Sequence, residues 1–138
     1  VLASSAGCAL AHADLDNVAF LKNAGGLPKL TVLGEGAFKA NEELTSCTVP
    51  VGILEIGEEA FHDCAALEVL ALPATVKLIG ARAFLFCRSL KSVAIPSSVA
   101  EIGWRAFRGC SSLATATVPA SCTLGGDAFP SSTVVRRA

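Results

Sequence analysis

Ile56, Ile79 and Ile102 stand 23 residues apart, and each opens nearly the same phrase: IGEEAFHDC, IGARAFLFC, IGWRAFRGC. The same step carries Gly57 to Gly80 to Gly103, Ala60 to Ala83 to Ala106, and Phe61 to Phe84 to Phe107. Further along each unit it relates Cys64, Cys87 and Cys110, then Leu67, Leu90 and Leu113, then Pro73, Pro96 and Pro119. Upstream, Leu33, Gly34, Ala37, Phe38, Leu44, Val49, Pro50 and Ile53 keep the register, with Asn41 in the cysteine column. Downstream, Leu124, Gly125, Ala128 and Phe129 repeat it after a one-residue deletion, and the sequence stops partway through a unit. Leu10, Leu15, Val18 and Leu21 keep a fainter trace. A unit this short cannot bury its own apolar columns; stacked units bury them against one another, so the period predicts a solenoid.

Composition agrees with a chain that buries much of itself. Of 138 residues, 52% are hydrophobic and 17% charged, which argues against disorder and for one domain with a real core. The net charge of −1 leaves no basic excess to neutralise phosphates, so nucleic acid is not an expected partner. No stretch approaches the ~18 apolar residues a spanning helix needs. No transmembrane segment is therefore expected, although peripheral association with a membrane complex stays compatible with the sequence. The chain contains no methionine and begins at Val1, which reads as a processed form or part of a longer protein.

Within a unit, Leu67, Leu70 and Leu72 give L-x-x-L-x-L, a short strand with period two at its end. Proline closes that strand by removing a backbone donor. Ala60, Phe61, Cys64 and Leu67 fall at helical spacings, which predicts a short helix or 3₁₀ turn with one apolar stripe.

These columns resemble the BspA-like class of the leucine-rich-repeat superfamily, whose unit reads roughly I-G-x-x-A-F-x-x-C-x-x-L-x-x-[LV]-x-[IL]-P. The resemblance covers about residues 30 to 129. It implies an α/β repeat solenoid, a right-handed coil with a parallel β-sheet on one face and short helices or 3₁₀ turns on the other. It also implies a protein-binding role. The organisation expected is a degenerate N-terminal repeat or helical cap over 1–29, about four repeat units over 30–129, and a truncated last unit or tail over 130–138. The cap expectation rests on AHADLDNVAFLKNAGG, which reads as a short helix stopped by Gly25 and Gly26.

Six cysteines could form a disulfide framework, but five occupy columns that want a small buried apolar group. Cys64, Cys87 and Cys110 share one inward column, Cys47 replaces Leu70 or Val93, and Cys122 replaces Val76 or Val99; Cys8 alone lies off the columns. The reading is a ladder of reduced thiols, which points to an intracellular or organellar compartment, whereas oxidised thiols would point to a cell surface. Neighbouring strands in a sheet lie only ~4.8 Å apart, so a ladder pair stays within reach of a disulfide. His62 falls in a column that faces outward and reads as a solvated side chain. There is no C-x-x-C, H-E-x-x-H, G-x-S-x-G, phosphate-binding loop or dinucleotide fingerprint, so neither catalysis, nor a metal, nor a cofactor is expected.

Two surfaces are candidate partner sites. The outward positions of the strands, Ser46 and Thr48, Val69 and Ala71, Ser92 and Ala94, Thr115 and Thr117, are small and uncharged, and would let another backbone or a flat apolar element approach. On the opposite side, Leu85, Phe86 and Trp104 put large apolar groups in columns elsewhere polar or small, as a partner anchor would. At the end, Val134 and Val135 could pair with a neighbour as an added strand and cover an exposed edge. The expected function is a non-catalytic interaction module, most simply a structural or scaffolding subunit of a multi-subunit complex with protein partners; the alternative is a cell-surface adhesion or recognition module.

Overall fold

Each repeat folds into one coil built from two short strands joined by turns, and the register of the repeat becomes the register of the sheets. In the computed structural model, residues 32–49 and 51–138 are described in full, together with the backbone of two strands near the N-terminus, β1 (Leu2–Ala3) and β2 (His12–Asp14). The isoleucine column forms the two-residue strands β3 (Val32–Leu33), β5 (Glu55–Ile56), β7 (Leu78–Ile79), β9 (Glu101–Ile102) and β11 (Thr123–Leu124). The L-x-L part of each unit forms β4 (Ser46–Thr48), β6 (Val69–Ala71), β8 (Ser92–Ala94), β10 (Thr115–Val118) and β12 (Val134–Arg137).

All pairing is parallel and links each residue to its repeat equivalent, as in Ile56↔Ile79↔Ile102 and Ser92↔Thr115↔Val134. One sheet runs β1-β3-β5-β7-β9-β11. The longer strands form two further sheets, β2-β4-β6 and β8-β10-β12. Strands β6 and β8 lie side by side between these sheets without a ladder joining them. The chain is thus a parallel-strand solenoid of about five turns.

Between the strands the inward columns stack into continuous ladders. Phe38, Phe61, Phe84, Phe107 and Phe129 form a column of nearly parallel, stacked rings with centroids 4.9–5.3 Å apart. Ile56, Ile79 and Ile102 are fully buried beside it, as are Cys64, Cys87 and Cys110. The glycine column exists because the coils close on one another there. A Cβ on Gly80 would sit 2.8 Å from the backbone nitrogen of Glu58, and one on Gly125 would sit 2.5 Å from that of Trp104. Those are contacts with backbone, which cannot swing aside.

The segments predicted as short helices or 3₁₀ turns form neither; among the described residues there is no α- or 3₁₀-helix, only turns. In the second coil Ala60 N–H donates to Gly57 O and His62 N–H to Glu59 O, but Phe61 N–H donates to Ala83 O and Asp63 N–H to Leu85 O on the next coil. Alternate amides therefore close turns and bridge coils. The backbone reaches this pattern by entering the left-handed region twice per coil, at Glu59 and Asp63, Arg82 and Phe86, or Arg105 and Gly109. Positive φ at those positions is incompatible with an α-helix.

His12–Asp14, inside the segment expected to be a degenerate repeat or a helical cap, is a strand paired with β4 in the register His12↔Ser46, Ala13↔Cys47 and Asp14↔Thr48. The rest of that segment, and Cys8, lie outside the described residues.

Candidate interaction surfaces

Strand alternation sets the sheet-side surface. Cys47, Val93 and Ala116 point inward and are buried, which turns the residues on either side of them outward. Val69, Ala71, Ser92, Ala94, Thr48 and Thr117 are exposed, while Ser46 and Thr115 are partly covered. Val69 is the most apolar point of this face, at 61% exposure. Glu68 and Lys91 form an ion pair of 3.1 Å alongside the unpaired boundary between β6 and β8.

The turn side separates the three residues predicted to act together. Trp104 and Phe86 are 45% and 37% exposed, but Leu85 is only 8% exposed. Leu85 is therefore a packed side chain whose polar replacement would damage the fold. A buried Leu85 substitutes for Lys39, His62 and Arg108 in its column, and sequence spacing alone could not show that its apolar side chain turns in. His62, read as solvated, is half-buried; its ring lies 6.1 Å from that of Phe86, and its Nδ1 is shielded without a hydrogen-bond partner.

Around the two exposed aromatics lies a set of guanidinium groups. Arg105 lies over Trp104 at 4.1 Å from the ring centroid and Arg82 approaches the same ring at 5.8 Å. Arg88 lies 5.2 Å over Phe86. Two of these arginines and their neighbour Arg108 hold carboxylates: Arg82 pairs with Glu58 at 2.7 Å, Arg88 with Asp63 at 3.5 Å and Arg108 with Asp127 at 3.2 Å. Arg105 holds none among the described residues, and its Nε is shielded from solvent without a partner.

Phe86 carries a further peculiarity. Its φ is +61°, a region that bulky side chains rarely enter, and its repeat equivalents are Ala40, Asp63 and Gly109. A side chain on Gly109 would collide with the Phe86 ring, so the glycine makes room for the aromatic of the preceding coil. The Phe86–Gly109 combination was legible as two odd residues in one column, but not as a matched pair.

Val134 and Val135 lie on the edge strand of the β8-β10-β12 sheet. They belong to β12, which pairs in parallel with β10 of the same chain through Thr115↔Val134 and Ala116↔Val135. Val134 faces outward and Val135 packs partly against the core. Arg137 fastens the strand by donating to Cys122 O at 2.7 Å and Pro119 O at 3.0 Å.

The five described cysteines offer no reactive surface. Cys47, Cys64, Cys87, Cys110 and Cys122 are buried free thiols. The thiols of Cys64, Cys87 and Cys110 donate to the carbonyls of Phe38, Phe61 and Phe84 on the preceding coils at 3.0–3.1 Å. Hydrogen bonding to the Cys110 and Cys64 thiols on either side, followed by burial, pushes the Cys87 thiol far above the ordinary thiol range. Among the described residues no three His, Cys, Asp or Glu side chains converge to hold a metal ion, and no helix is long and apolar enough to cross a membrane.

Comparison with known proteins places this arrangement. The profile of the BspA type leucine-rich repeat region matches residues 15–135 in six copies. Among solved structures, a leucine-rich repeat protein of T. pallidum superposes with a TM-score of 0.74 at 31% identity, covering 79% of this chain and 51% of that one. A leucine-rich repeat protein from Bacteroides ovatus gives 0.73 at 33% identity, covering 80% and 29%. The pneumococcal vaccine antigen PcpA gives 0.62 at 26% identity, covering 72% and 26%. The chain thus spans about half the length of the first of these proteins and under a third of the other two. No curated protein sequence matches it significantly.

Proposed function

Because the chain belongs to the BspA type leucine-rich repeat family, we propose that it is a non-catalytic protein-interaction module serving as a structural or scaffolding subunit of a larger assembly. One observation carries this reading: the outward ladder of Val69, Ala71, Ser92, Ala94 and Thr117 is exposed on strands fixed by a stacked core. Small uncharged side chains on two adjoining parallel sheets let a partner approach the backbone closely, and side chains this short lose little conformational entropy on binding.

The test isolates the protein at native levels and measures the mass of the species that contains it, with an Ala94→Arg variant alongside. A stoichiometric complex that is lost in the variant, at unchanged melting temperature, supports the reading. A solitary chain, or a complex indifferent to Ala94→Arg, removes it. The likeness to PcpA, a vaccine antigen, favours a second reading as a recognition module displayed at a cell surface. Labelling of intact cells with an impermeant reagent separates the two, since only a displayed module is labelled.

A further inference from the structure

We propose that the turn-side patch of Phe86, Trp104 and Arg105 is a docking site for an acidic segment of a protein partner, one that sets a carboxylate on Arg105 and an apolar side chain against the aromatics. The inference deepens the interaction-module reading and rests on it. Three independent features converge on this patch. First, two large aromatics stand exposed on the turn segments of neighbouring coils, whose backbones are joined by Arg82 N–H donating to Trp104 O and Phe86 N–H donating to Arg108 O. Second, Phe86 places an aromatic ring at a positive-φ turn position where Ala, Asp and Gly stand in the equivalent coils, and bulky residues in that region cluster at functional sites.

Third, the local charge is incomplete. Arg82, Arg88 and Arg108 each hold a carboxylate of an adjacent coil, but Arg105, whose guanidinium carbon lies 4.1 Å from the Trp104 ring centroid, holds none among the described residues. Its Nε is shielded without a partner beside the indole, and a guanidinium is a planar fork suited to two-point binding of a carboxylate. Arginine and tryptophan are also the residues that most often dominate interface energies. The missing partner of the patch is therefore an anion delivered together with apolar surface, which describes an acidic peptide better than a free ion.

The experiment titrates the full chain against three fluorescein-labelled peptides, one alternating glutamate with leucine, one with glutamine in place of glutamate, and one with lysine, while amide shifts are followed by NMR. The expected result is that the glutamate peptide binds about tenfold or more tightly than the glutamine peptide, with added salt weakening it, and that the lysine peptide does not bind. Shifts should centre on Phe86, Trp104 and Arg105. Arg105→Gln and Trp104→Ala should each weaken the glutamate peptide by about tenfold at unchanged melting temperature, and Arg105→Lys should recover only part, because lysine keeps the charge without the planar fork.

Equal binding of glutamate and glutamine peptides, or no binding by either, overturns the proposal. Shifts confined to the outward ladder around Ser92 and Thr117 overturn it too, while leaving the interaction-module reading intact. Concentration-dependent self-association abolished by Arg105→Gln would make the occupant a second copy, and overturns the acidic-partner assignment.

Discussion

The Cys87 thiol shows how one repeated residue serves several demands. The column needs a group small enough to sit between coils, apolar enough to be buried, and able to donate to the carbonyl of the coil before it; cysteine meets all three. Its burial was legible from the column alone, but the thiol–carbonyl bond was not, because spacing says nothing about where a proton points. The bond has a consequence for pH. Cys87 keeps its proton in the folded chain well above the pH at which an unfolded thiol loses one, through hydrogen bonding to its neighbours and burial. Above about pH 8.5 the unfolded state then binds fewer protons than the folded state, so stability falls as pH rises. The slope from this group approaches about 1.4 kcal/mol per pH unit, and below that range the term is flat. Burial acts in the same direction on Cys122, with the Arg137 charge opposing it. Urea midpoints at about pH 7 and about pH 10 should therefore fall more steeply for the native chain than for Cys87→Ala. Parallel slopes would show that the thiol is not held protonated.

At the scale of the element, the longer strands were legible, whereas the two-residue strands of the isoleucine column and the turns after them were not. Period-two burial and a closing proline identify a strand because both arise from the strand itself. The stripe Ala60, Phe61, Cys64 and Leu67 is ambiguous, since a helix and a stack of turns can turn the same residues inward. What separates them is the destination of alternate amides, and that is set by the next coil, as with Phe61 N–H and Ala83 O. The turn solution demands left-handed residues, yet the chain supplies glutamate, aspartate, arginine and alanine there as well as glycine. At Ala40, exposed with φ of +58°, this strain has no compensating contact of the Phe86 kind to explain it. Left-handed alanine costs about 1–2 kcal/mol, and glycine's larger entropy loss returns roughly 0.5–1 of that. Ala40→Gly should therefore stabilise the chain by about 0.5–1 kcal/mol, read as a higher urea midpoint at unchanged slope. A lower midpoint would mean that the left-handed turn at this position is not the folded conformation.

For the whole molecule, the governing fact is that each coil touches only its neighbours, which makes stability a sum of local and nearest-neighbour contributions. The phenylalanine column displays this directly: Phe61 stacks on Phe38 and Phe84, Phe84 on Phe61 and Phe107, and the rings are never more than 5.3 Å from the next. The repeat made the column visible in the sequence; the parallel stacking follows from identical rotamers on identical backbones, which no single unit reveals. A double-mutant cycle with leucine replacements tests how far the coupling travels. Each Phe→Leu change should cost about 1–3 kcal/mol. Phe61→Leu and Phe84→Leu, in direct contact, should depart from additivity by about 0.5 kcal/mol or more, whereas Phe38→Leu and Phe107→Leu share no ring neighbour and should add within about 0.5 kcal/mol. Strong coupling between the distant pair would mean that the coils respond as one rigid body, and a partner docked at Phe86 and Trp104 would then be felt along the entire stack. Coupling that dies within one coil confines such an event to the turns it touches, leaving the sheet-side ladder free to hold a second partner independently.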